Sequence, residues 1–120
     1  MGRVQAIQGI QADPADQVFT ALGDATRRAI VRLVAQGPQS VSALAEALGV
    51  TLTAITQHLR ILQTSGLLRT HKVGRIRMCE LDRQGLDVLA RWVTYNRNMW
   101  EQRFDALDAI LQQDARDGRI

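Results

Sequence analysis

The chain is poor in the residues that staple, interrupt or span. A single cysteine, Cys79, excludes an internal disulfide framework. Two prolines, no internal repeat and no low-complexity tract leave no long linker to divide it. No apolar run approaches the ~18 residues that would cross a bilayer, so no membrane partner is expected. The opening "MGRVQAIQGIQADP" lacks the continuous apolar stretch of a signal peptide. Gly2 does not complete a myristoylation motif, because Ala6 stands where Ser or Thr is required. These absences leave a cytoplasmic location as the default. There is also no Gly-rich phosphate loop, no Ser or Cys nucleophile beside a plausible base, and no paired carboxylates in an evident cleft. Asp105 and Asp108, one helical turn apart, read as a solvated face. No enzyme and no cofactor is implied.

Acid is missing where base is plentiful. Between Glu46 and Glu80 there is no Asp or Glu, while Arg60, Arg69, Lys72, Arg75 and Arg77 all fall there. Residues 24–81 carry eight Lys/Arg against three Asp/Glu, whereas residues 82–120 carry six against seven. Fourteen of the fifteen basic residues are Arg, whose planar fork suits phosphates and guanine edges. A polyanion is the natural partner of that middle third. The bland reading is a locally basic surface with no partner.

What is present is a globular chain: 120 residues with 46% apolar content suit one domain with one modest core. Residues 1–12 read as a loosely ordered or helical arm, and 13–66 as a helical part. "DPADQVFTALGD" is a helix capped by Asp13, with Pro14 at its first position and Gly23 as its stop. Val18, Phe19 and Leu22 form its apolar face. Asp24 caps "ATRRAIVRLVAQ", which turns Ile30, Leu33 and Val34 inward and ends at Gly37-Pro38. Val41, Leu44, Ala45 and Leu48 follow helical spacing in a third helix, capped by Ser40 or Ser42 and closed by Gly49.

Thr51 then caps "LTAITQHLRILQT". At ~100° per residue, Leu52, Ile55, Leu59 and Leu62 form one stripe. Thr53, Thr56, Gln57, Arg60 and Thr64 occupy the other side as hydroxyls, a carboxamide and a guanidinium, all able to donate hydrogen bonds. Two short helices joined by a tight Gly turn over 40–65 match a helix-turn-helix, one bracing and one reading. "LLRTHKV" and "RIRMCEL" flank Gly74-Arg75 as a hairpin over 67–81, its loop length open. A basic hairpin directly after a helix-turn-helix is a wing, set against the alternative of a solvated hairpin whose Arg residues block edge pairing.

Asp82 caps the last segment. Leu86, Leu89, Val93, Trp100, Phe104, Leu107 and Leu111 continue an apolar stripe over 82–112, with 113–120 as a tail. One unbroken helix over 83–111 would run ~43 Å. Either it breaks near "TYNRN" or it overhangs and packs on something else, and a surplus apolar helix suggests a second subunit.

Order and residues together resemble the ArsR-type family of winged helix-turn-helix transcriptional repressors over roughly residues 15–112. The marks are "ALGDATRRAIVRLV", "SVSALAEALGVTLTAITQHLRILQTSGLL", "RTHKVGRIRMCEL" and "NRNMWEQRFDALDAIL". The resemblance implies a mainly α fold with a small β-hairpin, dimerised through terminal helices and bound to double-stranded operator DNA. The implied DNA contacts are Thr51, Thr53, Thr56, Gln57 and Arg60 on the reading helix, with Arg69, Lys72, Arg75 and Arg77 on the wing. The implied homodimer contacts are Val18, Phe19, Trp92, Trp100, Phe104, Leu107 and Leu111. Metal sensing does not carry over. The brace helix "SVSALAEAL" has no thiol, and 83–112 contain no His. His58 reads as a packed or backbone-bonded histidine, and Cys79 as a small buried hydrophobe. No metal site is expected, and no effector is identified. The competing reading is a winged helix used only for protein interaction or dimerisation.

Overall fold

The computed structural model describes residues 13–118; the expectation for residues 1–12 lies outside them. In chain order the elements are α1 (Pro14–Leu22), α2 (Ala25–Ala35), β1 (Gln39–Ser40), α3 (Val41–Leu48), α4 (Leu52–Thr64), β2 (Leu68–Val73), β3 (Ile76–Leu81) and α5 (Arg83–Arg116). The chain divides into two compact units, the first ending at Leu89 and the second beginning at Ala90.

Each helix starts where a side-chain oxygen can replace a missing backbone partner. Asp13 Oδ1 accepts from the Ala15 amide at 2.9 Å, and the Asp16 carboxylate accepts from the Asp13 amide at 3.4 Å. Asp24 Oδ2 accepts from the Arg27 amide at 3.0 Å, Ser40 Oγ from Ala43 at 3.0 Å, and Thr51 Oγ1 from Ala54 at 3.1 Å. Ser40, not Ser42, is therefore the cap of α3. The two middle helices end alike. The amides of Gly49 and Val50 donate to Glu46 and Ala45, and those of Gly66 and Leu67 donate to Gln63 and Leu62. Both are Schellman closures, with glycines at φ +65° and +78° supplying the left-handed residue.

The sheet is antiparallel in the order β1-β3-β2. Val73 pairs with Ile76, so the hairpin loop is the two-residue turn Gly74-Arg75. The short strand β1, which the sequence does not signal, pairs Gln39 with Cys79 and Ser40 with Met78. It ties the start of the brace helix to the central strand.

The core of the first unit gathers Val18, Ile30, Leu44, Ile55, Leu62, Leu67, Leu68 and Cys79, all fully buried. Val88 and Leu89 pack against it from α5. Burial pushes the Cys79 thiol above its ordinary value, only partly offset by the positive charge of Arg77. It thus behaves as a small core hydrophobe. Leu52 departs from the expected stripe. It stands 58% exposed, because the first residue of α4 projects past the last layer of core.

From Ala90 onward no described residue is buried. The helix α5 runs unbroken through Thr94–Asn98, so the two-helix alternative for the C-terminal segment is not realised. At 34 residues it is about 51 Å long. Val93, Trp100, Phe104, Leu107, Ile110 and Leu111 are all exposed on it. No helix among the described residues is long and apolar enough to cross a membrane.

One close approach sets how α4 hands the chain to the sheet and to α5. The Gly85 amide donates to the Gly66 carbonyl at 2.8 Å. A Cβ on Gly85 would lie 2.7 Å from the Gly66 carbonyl carbon and 2.8 Å from its oxygen. Both obstacles are backbone, which cannot rotate away. Gly85→Ala should destabilise the fold by about 1–3 kcal/mol, a fall of at least several degrees in melting temperature for a domain of this size. Differential scanning calorimetry of the variant beside Gly23→Ala checks this. Equal effects at the two positions would dismiss a special role for Gly85.

Candidate nucleic-acid interface

The polar face of α4 is built on its own helix geometry. Thr53, Thr56, Gln57 and Arg60 are exposed together, and with Leu52 they line one shallow groove. A second groove, of about 470 Å³, runs between the start of α4 and the hairpin tip. It is lined by Ser40, Val41 and Ser42 at the start of α3, by Leu52 and Thr56 of α4, and by Arg75, Ile76 and Arg77 of the hairpin. Arg75 and Arg77 therefore share a groove with the α4 face, although they are distant in sequence. Leu52, Ser40, Ser42 and Ile76 are members that sequence reasoning missed. Their signal, an apolar residue or a serine near a helix start, is indistinguishable from a structural one until the hairpin is placed.

Two hydroxyls are not the donors expected. Thr56 Oγ1 donates to the Leu52 carbonyl at 2.7 Å, and Thr64 Oγ1 to the Arg60 carbonyl at 2.9 Å. Each turns its proton back into the helix. What Thr56 offers outward is an acceptor oxygen and a methyl group. Thr51 accepts as the cap, and its hydroxyl proton is not used by that bond.

The hairpin is fixed to the reading helix through one hydroxyl. Gln63 Nε2 donates to Thr70 Oγ1 at 2.7 Å, and an Arg77 guanidinium nitrogen donates to the same oxygen at 3.0 Å. Lys72 stands directly opposite Arg77 across the strands. Like charges so placed cost stability until something negative sits over them. Arg69 differs from its neighbours. It pairs with Glu80 at 2.6 Å, across the register that sets them opposite each other. Its charge is already balanced within the hairpin.

Two arginines close the helical corner behind α4, and one of them reaches α4 itself. Arg27 Nε donates to the Ala21 carbonyl at 2.7 Å, and a second guanidinium nitrogen to Thr20 at 3.1 Å. Arg28 donates to Leu22 at 2.7 Å. Together they satisfy the last carbonyls of α1. The remaining Arg27 nitrogen lies 3.3 Å from His58 Nδ1, and Asp24 Oδ2 lies 3.8 Å from the same atom. His58 is thus packed, as expected, and its partners are side chains rather than backbone. These interactions give "GDATRR" a mechanical meaning: it caps both ends of the α1–α2 corner and reaches α4.

The residues expected at a dimer interface separate. Val18 is fully buried in the core of its own unit and has no surface to present, a correction to the sequence reading. Phe19 is partly exposed on α1, and Trp92 is half-buried. Trp100, Phe104, Leu107 and Leu111 are exposed along α5. Among the described residues, no three His, Cys, Asp or Glu side chains converge as a metal site would require.

A bracing helix, a reading helix and a basic two-stranded wing define a winged helix-turn-helix DNA-binding domain. Comparison with known proteins agrees: the helix-turn-helix domain family matches residues 22–71. The HTH-type transcriptional regulator Rv2034 of Mycobacterium tuberculosis is 43% identical over 74 residues, 62% of this chain and 69% of that protein. An ArsR-like transcriptional regulator from Rhodococcus sp. RHA1 is 34% identical with a TM-score of 0.75, covering 83% of this chain and 92% of that one. The homodimeric winged helix-turn-helix DNA-binding domain of a Mycobacterium bovis protein is 30% identical with a TM-score of 0.57, covering 75% and 81%. The chain belongs to the ArsR family of transcriptional regulators, which are not enzymes.

The cap at the α1–α2 corner should show itself in acid. The Arg27 amide hydrogen bond, then the charges of Arg27 and His58, hold the Asp24 carboxyl below its ordinary value against the opposing effect of desolvation. A lowered carboxyl stabilises the folded state fully above the unfolded value of about 3.9 and loses that contribution as pH falls through the folded one. Asn is as good a cap without the charge. Asp24→Asn should therefore flatten the acid limb of stability below about pH 4 while leaving the helix capped. Urea unfolding of both proteins from pH 3 to pH 7 measures it, and parallel pH profiles would contradict the assignment.

Proposed function

We propose that this regulator is a sequence-specific repressor that binds a palindromic operator as a homodimer. The observation that carries the proposal is the meeting of the acid-free face of α4 with Arg75 and Arg77 around a common groove. In this reading α4 enters the major groove, where Gln57 suits adenine and Arg60 suits guanine, each through two hydrogen bonds. Thr51 and Thr53 serve bases or phosphates near the helix start. Lys72, Arg75 and Arg77 hold the backbone, and the unfavourable Lys72–Arg77 opposition is relieved when phosphate arrives. Arg69, balanced by Glu80, contributes least of the four. Repression by occupying the operator is the mode the family resemblance implies.

The homodimer reading rests on the exposed aromatic and aliphatic stripe of α5. The M. bovis relative, described as homodimeric, supports it. With His58 engaged by Arg27 and Asp24, and Cys79 in the core, the sensing chemistry of metal-responsive relatives has no counterpart in this reading. No inducer is assigned.

Reading and holding should separate by mutation. Arg60→Ala should cost roughly 1–3 kcal/mol on the operator and relax preference at one base pair. Arg75→Ala should weaken binding to most sequences alike. It should also make the log-affinity against log-salt slope shallower by about one unit for each phosphate no longer neutralised. Titration of operator selected from random duplexes, and of scrambled duplex, across a salt series checks both. Equal loss on both duplexes for Arg60→Ala would remove α4 as the reading element. A wild type with no sequence preference at any salt would favour the interaction-module reading instead.

Trp100→Asp with Phe104→Asp should convert a dimer into a folded monomer with much reduced operator affinity. Sedimentation and circular dichroism on the same samples decide it, and a dimer that survives the double substitution argues against α5 as its interface. Half-site centres should fall ~34 Å apart or a multiple of that.

A further inference from the structure

Leu52 is a large apolar side chain placed where the DNA-reading proposal expects hydrogen-bond chemistry. It is the first residue of α4, 58% exposed, and the grooves on the helix face and beside the wing both include it. In helix-turn-helix proteins the N-terminal residues of the reading helix are those that meet base edges. One turn further on, Thr56 has committed its hydroxyl proton to the Leu52 carbonyl at 2.7 Å. The Leu52 and Thr56 side chains therefore present a hydrocarbon surface, a methyl group and one acceptor oxygen, and no donor of their own. The donors on the same face belong to Thr53, Gln57 and Arg60.

The major-groove edges of the bases narrow the choice. The guanine edge and the purine N7 present acceptors, which call for donors that Leu52 and Thr56 do not supply. The thymine 5-methyl is the one apolar feature in the groove. We infer that Leu52 is a specificity-determining residue that reads a thymine methyl in each half-site, with the Thr56 oxygen beside it able to accept from a base amino group. This rests on the DNA-reading proposal above and adds an apolar base contact to it. The eight-residue offset from Leu52 to Arg60 is about 12 Å along the helix. At 3.4 Å per base pair, the thymine lies no more than about four pairs from the guanine read by Arg60. It lies on the wing side of that guanine.

The test removes the methyl and nothing else. Each thymine of the selected operator is replaced in turn by deoxyuridine, symmetrically in both half-sites, and the full-length protein is titrated by fluorescence anisotropy. Wild type should lose about fourfold per half-site at one position, the equivalent of one buried methylene-sized group. Leu52→Ala should bind the thymine operator more weakly by a similar factor and show no further loss with deoxyuridine at that position. Leu52→Met, which keeps the apolar surface, should retain the sensitivity. Circular dichroism and melting should be unchanged in both variants, since the side chain lies outside the core. Two results overturn the inference while leaving the DNA-reading proposal intact: a selective operator with no methyl-sensitive thymine, or equal sensitivity in Leu52→Ala and wild type. A wild type that shows no preference for any duplex overturns both.

Discussion

The handover from α4 to the wing and to α5 turns on the close approach of Gly66 and Gly85. The exit of α4, the first residues of β2, the last of β3 and the entry of α5 meet there. The Gly85 amide reaches the Gly66 carbonyl, and the Asp82 amide reaches the Leu67 carbonyl at 2.9 Å. Because Leu68 pairs with Leu81, the base of the wing is clamped between the end of the reading helix and the start of α5. The register is thereby pinned, and a slip of one residue would turn Cys79 out of the core and its neighbours into it. A side chain at Gly85 would hold the two backbones apart. The clamp thus depends on an atom that is missing.

From that clamp the proposed DNA-facing surface follows by short mechanical steps. The wing leaves its base with the Gln63–Thr70–Arg77 hydrogen bonds setting its lean against α4. The tip, only a two-residue turn, then brings Arg75 and Ile76 beside Leu52. Behind α4, Arg27 and Asp24 hold His58 and so join the reading helix to the α1–α2 corner. A helix fixed from both sides can present side chains without first losing much freedom of its own, which is what specific recognition of a rigid partner requires. The cost lies in the charge. Lys72 faces Arg77, and no carboxylate between Glu46 and Glu80 relieves them. That stretch therefore carries an excess of positive charge.

Much of this is legible residue by residue. Caps are local: Asp13, Asp24 and Thr51 each satisfy an amide two or three residues away, so a short window contains the whole interaction. The same holds for the closures at Gly49 and Gly66 and for the change of period after Leu67. The strand β1 is not legible, because two residues carry no periodicity and its partner lies forty residues on. Leu52 leaves its stripe because helical spacing gives the direction of a side chain and not the depth of core beneath it. Val18 parts from Phe19 for the same reason: adjacent apolar positions on α1 look alike until one is covered. The balance of Arg69 by Glu80 needs the strand register, which a hairpin of unknown loop length cannot supply.

By itself the sequence determined the starts of the first four helices, the order of brace, reader and wing, and the acid-free basic stretch, because each depends on neighbours within a turn or a strand. The tertiary structure alone decided which of those residues share a surface. Arg75 and Arg77 meet Leu52 and Thr56 only after the sheet has folded back on α4. Arg69, just as basic, is withdrawn by a cross-strand carboxylate. Periodicity tells a residue which way to face, but only packing and register determine what it faces.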